Sequence, residues 1–256
     1  MNEATANALD ELNRRFYDRW AEDFHRTREA PWPGWRRLLR TLPAASDTRA
    51  GTPTRVLDVG CGNGRLALFL AAGRGASTFT YLGVDSSLPL LARARRRLPA
   101  QDHLIAANAT GEGALALFHP ATFSIVAAFG LLHHVPGFAR RRALLAAMAQ
   151  ALAPGGLLWL SLWQFGREQR FARRCVHWEE YNRSTEHPID TWHLEPGDVL
   201  LRWGDERHGA VRYCHFTDRV EAESLVRDLD LDLTDRYEDD GREGNLNLYL
   251  ALRRHE

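Results

Sequence analysis

Hydrophobic and polar positions change rhythm near Arg55. Before it, Phe16, Tyr17, Trp20 and Phe24 recur three or four apart, which predicts a helix with one aromatic face. Pro31-Trp32-Pro33-Gly34 breaks that helix, Trp35 to Leu42 starts another, and a loop of small and polar residues runs from Ala44 to Thr54. After it, short apolar runs alternate with amphipathic ones. Arg55 to Val59, Thr80 to Val84, His103 to Ala107 and Phe123 to Phe129 read as strands, and Arg65 to Ala72, Leu88 to Leu98 and Arg140 to Leu152 as helices. Pro154-Gly155-Gly156 stops the last helix, and Leu157 to Leu162 is again strand-like. Such alternation predicts an α/β fold, a mostly parallel sheet with helices on both faces. Residues 164–212 interrupt the rhythm with a long irregular stretch, which in a compact domain is functional or covers a site. The chain then reads helix (Glu221 to Leu229), strand (Leu231 to Arg236) and strand (Asn245 to Leu250), with Asp239-Asp240-Gly241 as turn chemistry.

Composition narrows the class. The 256 residues suit one large domain with additions, and 45% hydrophobic with 26% charged residues is ordinary globular usage. Every apolar run falls short of the ~20 residues of a membrane helix. The opening MNEATANALDEL lacks the apolar core of a secretion signal. Three cysteines are too few for a disulfide framework or zinc cluster, so a cytoplasmic protein is expected, with no metal and no membrane. All 33 basic residues are arginine, which excludes Schiff-base lysine chemistry and a Walker-type lysine. Formal net charge is zero, so any nucleic-acid contact must rest on a local patch. Arg93, Arg95, Arg96 and Arg97 share a predicted helix and are expected to form a solvated face.

The strongest chemical signal is Val56-Leu57-Asp58-Val59-Gly60-Cys61-Gly62-Asn63-Gly64, an apolar strand running through three alternate glycines into a helix. Glycines there let a ligand approach the main chain without a Cβ in the way. The dinucleotide fingerprint spaces its glycines differently and receives a pyrophosphate. Asp58 would repel a pyrophosphate but suits a cationic amino-acid moiety, which favours S-adenosylmethionine over NAD. Tyr81-Leu82-Gly83-Val84-Asp85 is a second strand ending in an acid, placed to accept hydrogen bonds from ribose hydroxyls.

From Arg55 to about Leu162 the chain resembles the class I S-adenosylmethionine-dependent methyltransferase domain, and Leu152-Ala153-Pro154-Gly155-Gly156 matches the turn before its fifth strand. The resemblance implies a Rossmann-like seven-stranded sheet, with the methionine part held by Asp58, Gly60, Cys61 and Gly62 and the ribose by Asp85 with Ser86. It implies adenine beside Asn108 and Ala109, where an acid is commoner. Phe129, at the end of the fourth strand, joins this cofactor set. Residues 1–50 are expected to form a helical N-terminal lid, and 51–256 the methyltransferase domain with its insertion after the fifth strand.

The flanks resemble the tRNA methyltransferases that esterify wobble 5-carboxymethyluridine, including the domain joined to an AlkB-like oxygenase. The matching segments are Tyr17-x-x-Trp20-Ala21-x-x-Phe24-His25-Arg26-Thr27-Arg28-x-x-Pro31-Trp32-Pro33 and Arg212-Tyr213-Cys214-His215-Phe216. Arg242-Glu243-Gly244-Asn245-Leu246 stands where eukaryotic members have Arg-Asp-Asn-Trp, one residue longer and without the aromatic. A carboxylate acceptor needs no base but does need a cationic clamp, for which Arg28 and Arg212 are the candidates. His133, in Leu131-Leu132-His133-His134-Val135, is the candidate base should the acceptor be a hydroxyl or amine. Tyr17 and Trp32 are expected to cover the cofactor or stack on an acceptor base, while Trp20 and Phe24 read as core. A tRNA and a small-molecule acceptor both remain open. So do a small activating subunit, and a non-catalytic scaffold that keeps the cofactor.

Overall fold

The computed structural model describes residues 1–28, 30–42, 53–100, 102–109, 118–204 and 209–256. Most of the loop read from Ala44 to Thr54 lies outside the described residues.

The chain opens with α1 (Glu3–Arg26), capped by the Asn2 side chain on the Thr5 N–H and kinked at Trp20 (φ -109, ψ 17). Next come α2 (Arg36–Thr41), β1 (Thr54–Val59), α3 (Arg65–Arg74), β2 (Phe79–Asp85), α4 (Leu88–Arg97) and β3 (His103–Ala106). β4 (Phe123–Phe129), α5 (Phe138–Ala151) and β5 (Leu152–Trp163) complete the part that the alternation predicted. The insertion supplies α6 (Gln169–Ala172), β6 (Cys175–Val176), α7 (Trp178–Ser184), β7 (Asp198–Trp203) and β8 (Ala210–His215). α8 (Arg219–Val226), β9 (Leu231–Asp239) and β10 (Asn247–Arg254) end the chain. The last helix is shorter than its apolar pattern suggested, and the last strand runs on to Arg254.

Seven strands form one sheet in the order β3-β2-β1-β4-β5-β10-β9. The first five are parallel, and β10 is antiparallel to both β5 and β9. The period-2 geometry of a strand sorts its side chains between two cores. On β4, Val126 and Ala128 join the core that holds Leu144 and Leu145 of α5 and Leu225 of α8, whereas Ile125, Ala127 and Phe129 join the core with Leu66 and Leu70 of α3 and Leu91 of α4. Both faces are therefore covered by helices. The chain reverses direction of travel between β1 and β4, and in open parallel sheets ligands bind outside the carboxyl ends at such a switch point. Among the described residues, no helix is long and apolar enough to cross a membrane.

Within the described residues of the stretch read as irregular, β6, β7 and β8 form a three-stranded antiparallel sheet with Asp198 opposite His215. It was hidden because several of its buried positions are polar. Tyr213 donates its hydroxyl to Asp198 at 2.7 Å, and His215 lies 2.7 Å from both Asp198 and Glu221. Arg141 reaches Glu195 and Glu221, each at 2.7 Å. Burial opposes the imidazolium of His215, but its two carboxylate partners outweigh burial and raise its pKa. α1 docks on this sheet, with Leu9 and Leu12 packed against Val176, Leu200 and Tyr213.

Candidate active site

A cavity of about 1380 Å³ opens beside the ends of β1, β2 and β4. Its one end is made largely of main chain. Gly60, Gly62 and Gly64 take φ of 79, 53 and 74, a region that costs side-chain-bearing residues strain. The Gly60 and Cys61 N–H groups donate to the Val84 carbonyl at 2.8 and 3.0 Å, which pins the loop to the end of β2. Asp85 holds the loop from the other side, accepting from the Gly62 N–H and the Ser87 N–H, both at 2.8 Å. A Cβ at Gly62 would meet no protein atom, so this bend faces open space that a ligand can fill.

Asp58 lies beneath the loop, 3% exposed, and accepts from the Tyr81 hydroxyl at 2.6 Å. Burial raises its pKa to about 7, against the hydrogen bond from Tyr81. Arg65, the first residue of α3, lines the same end. Its guanidinium sits 5.0 Å from the ring centres of both Trp32 and Trp35 and donates to the Ala30 carbonyl at 2.9 Å. Burial, then the charge of Arg28, lowers the pKa of Arg65 to about 10. A buried acid and a half-buried guanidinium on one wall match the two ends of a zwitterionic amino acid. The donor set therefore fits the methionine part of S-adenosylmethionine.

The other end of the cavity is made of side chains from three separate parts of the fold. Arg212 of β8, 5% exposed, lies 5.5, 5.4 and 5.1 Å from the ring centres of Phe16, Trp163 and Trp203. Arg28, just past α1, lies 5.3 Å from Phe24 and 5.7 Å from Trp203. Among the described residues neither guanidinium has a carboxylate within ion-pair distance. Arg212 donates to the Tyr17 hydroxyl at 3.1 Å and Arg28 to the Thr27 carbonyl at 3.4 Å. Burial and the charge of Arg212 push the pKa of Arg28 down. Two neighbouring desolvated cations without a carboxylate among the described residues repel each other, an arrangement suited to an anion.

Of the residues singled out from the sequence, Tyr17, Arg28, Asp58, Gly60, Cys61, Gly62, Asp85, Ser86, Asn108, Phe129, His133 and Arg212 all line this cavity. Ala109 does not: it is 7% exposed and packs in the α5 and α8 core, because the chain turns inward straight after Asn108. Trp20 and Phe24, read as core, are at the cavity wall. The Cys61 thiol is buried with a pKa well above its ordinary value, as a packing residue would be. His133 is held neutral: burial, then His134 and the two arginines, put its pKa well below 6.5. A proton taken up there would add a third cation to Arg28 and Arg212. The Arg242–Leu246 segment, placed by resemblance, brings Leu246 and the preceding Asp240 and Gly241 to the cavity.

Arg65, Trp163 and Trp203 also line the cavity and were not assigned a role from the sequence; His134, which the sequence offers beside His133 as a second candidate base, lines it too. Arg65 had a usable signal, since an arginine opening a helix opposes the helix dipole. Among the described residues, two largely buried groups have metal-ligand types within 4.8 Å of one another, His133-His134-Cys214 and Glu195-Asp198-His215. Arg212 and Arg28 act on both histidines of the first, and Arg141 already neutralises the second, so neither invites a cation.

The parallel sheet, its switch-point cavity and the glycine loop have the Rossmann-like arrangement of class I S-adenosylmethionine-dependent methyltransferases. Residues 57–158 match the family model for a methyltransferase domain. The chain is 30% identical over 154 residues to the tRNA (carboxymethyluridine(34)-5-O)-methyltransferase of Arabidopsis thaliana, across 60% of this chain and 33% of that protein. It is 37% identical over 116 residues to the ubiquinone biosynthesis O-methyltransferase of Thiobacillus denitrificans, across 45% of this chain and 47% of that one. The chain thus spans between a third and a half of the length of these curated relatives. Among solved structures, the 1,6-didemethyltoxoflavin-N1-methyltransferase of Burkholderia thailandensis, with S-adenosylhomocysteine bound, shares the fold at TM-score 0.63 and 18% identity, over 100% of this chain and 93% of that one.

Proposed function

We propose that this chain methylates a carboxylate oxygen of its acceptor and so forms a methyl ester. The observation that carries the reading is the pair of half-buried Arg28 and buried Arg212, without carboxylate partners among the described residues, in the cavity that also holds the glycine loop. S-adenosylmethionine supplies an electrophilic methyl group, which an ionised carboxylate takes by in-line displacement with the bonding pair left on sulfur. The acceptor needs no base, so neutral His133 is in keeping with the reading. Arg28 and Arg212 bind and orient the carboxylate, and Phe24, Trp163 and Trp203 keep water from it. Asp58 meets the α-ammonium group, Arg65 the α-carboxylate, Asp85 with Ser86 the ribose, and Asn108 the adenine. α1 and the Trp32 segment serve as the lid over this site, and the rest of the chain is the methyltransferase domain with its insertion.

The flanking motifs and the name of the Arabidopsis relative favour 5-carboxymethyluridine of tRNA as acceptor, in a cytoplasmic modification reaction. Zero net charge and the acidic run through Asp228, Asp230, Asp232 and Asp235 favour a free organic acid instead. The decisive experiment incubates the protein and methyl-labelled cofactor with tRNA bearing 5-carboxymethyluridine and, separately, with an organic-acid fraction. The product is then treated with mild alkali. An ester releases labelled methanol; label that survives alkali, as in an ether or amine, would falsify the carboxylate reading.

A further inference from the structure

The Tyr17 hydroxyl sits between two groups that fix its hydrogen bonds completely. Arg212 Nη1 lies 3.1 Å away and can only donate, so Tyr17 accepts there. Its own hydrogen must go to His134 Nε2 at 2.7 Å, which is then the unprotonated nitrogen. The remaining proton of His134 is on Nδ1, 3.0 Å from the Tyr213 carbonyl, an acceptor. Asn13 closes the assembly, accepting from the Tyr213 N–H at 2.9 Å through its side-chain oxygen; its Nδ2, 3.4 Å from the protonated Nδ1, donates instead to the His134 carbonyl at 3.5 Å. Each donor therefore has an acceptor in one arrangement only. The participants come from α1, from the turn after β4 and from β8, so the lid, the parallel-sheet core and the insertion meet at this one chain of bonds.

We propose that His134 is a positioning residue which, acting through Tyr17, sets the orientation of the Arg212 guanidinium that receives the acceptor. The proposal rests on the carboxylate reading above for its function, but not for its geometry. Arg212 is flanked by flat aromatic faces of Phe16, Trp163 and Trp203, which hold its plane loosely and give no direction to its N–H groups. The Tyr17 oxygen is the single directional partner of Arg212 among the described residues. Burial and the charge of Arg212 depress the pKa of His134 to about 3, so the imidazole stays neutral and Nε2 stays an acceptor at every working pH. An imidazolium there would turn the Tyr17 hydroxyl round and break its bond to Arg212. Docking of α1 brings Tyr17 into place, which means the anion site is complete only with the lid seated.

The test uses the full chain labelled with 15N-histidine and 15N-arginine, with benzoate as a carboxylate probe followed by tryptophan fluorescence. His134 should show a proton on Nδ1 from pH 5 to 9, and Tyr17→Phe should shift only its Nε2 signal. His134→Leu should free rotation of the Arg212 guanidinium and weaken benzoate binding about tenfold, the worth of one charged hydrogen bond. His134→Gln, whose side-chain oxygen can replace Nε2, should recover most of the loss. Tyr17→Phe with His134→Leu should be no worse than either alone. Unaltered Arg212 rotation in His134→Leu, a His134 that titrates in this range, or additive losses would each overturn the relay. So would benzoate affinity that stays the same while rotation is freed. If wild-type protein fails to bind benzoate while the histidine and arginine signals behave as expected, the carboxylate reading falls and the relay stands.

Discussion

At the glycine-loop end of the cavity, residues close in sequence place main-chain groups. At the arginine end, residues far apart in sequence place side chains. Gly60, Cys61 and Gly62 are held by Val84 and Asp85 through backbone geometry that the sheet itself dictates. Arg28, His134 and Arg212 belong to three regions that meet only after α1 has packed on the insertion sheet. The first kind of site rests on main-chain geometry, which tolerates changes in the surrounding side chains. The second kind can be rebuilt around a different acceptor without disturbing the first. On the proposed reading, cofactor binding is tied to topology and acceptor choice to packing.

Mutations confined to one end should separate the two. The largest effect is expected from Arg212→Ala, which should lower acceptor kcat/KM about a hundredfold while leaving cofactor affinity within about twofold, as loss of a charged, desolvated contact predicts. His133→Ala should cost less, and at saturating cofactor the wild-type rate should not rise through neutral pH, since the His133 pKa is already well below that range. Steady-state kinetics across pH with the true acceptor checks both. A larger loss in His133→Ala would move the chemistry from clamp to base.

Asp85→Ala should come next, weakening cofactor binding about thirtyfold by calorimetry, because Asp85 holds the Gly62 N–H as well as facing the ligand. Asp85→Asn keeps one acceptor oxygen and should lose less. If both variants bind the cofactor as wild type does, the loop is not where it binds.

Arg65→Ala should weaken S-adenosylmethionine binding about tenfold, yet leave a decarboxylated analogue unaffected if its partner is the α-carboxylate. Equal losses for both ligands would assign Arg65 to packing of Trp32 and Trp35 instead.

The smallest effect is a slope. Asp58 has its folded pKa raised to about 7, so below that pH the free protein holds it neutral. A cationic ammonium group selects the carboxylate, so affinity should be full above pH 7 and fall by up to about tenfold per unit below it. Asp58→Asn should bind more weakly and show no slope. A wild-type affinity that is flat from pH 5.5 to 8 would show that Asp58 does not meet the cation.

The same contrast explains what could be read from the sequence. Buried parallel strands are apolar runs bounded by glycine, so β1, β2 and β4 stood out, and with them Asp58, Asp85 and the loop glycines. In β8 the buried positions include Arg212 and His215, and in β7 Asp198 opens the strand; a pattern rule reads such residues as solvent-facing. Their burial is possible because partners such as Tyr213, Glu221 and Arg141 arrive from elsewhere in the chain. Arg28 and Arg212 were found through motifs resembling a family, not through any local periodicity. Trp203 gave no separate signal, and His134 none beyond its place beside His133, since their roles depend on contacts formed only in the folded chain. Ala109 was misplaced for the opposite reason: the match to a family position extended one residue beyond the point where the chain leaves the cavity.

The unaccompanied guanidiniums also bear on how a turnover ends. Under the proposed esterification, an acid enters as the counter-ion that Arg28 and Arg212 lack among the described residues. Esterification removes its negative charge where it lies, and the two cations again face each other across an uncharged molecule. The ester is then held less tightly than the acid from which it was made, so bond formation itself prepares product departure. The same vacancy makes small anions competitors of the acceptor, and buffers rich in chloride or acetate should slow the enzyme by filling it.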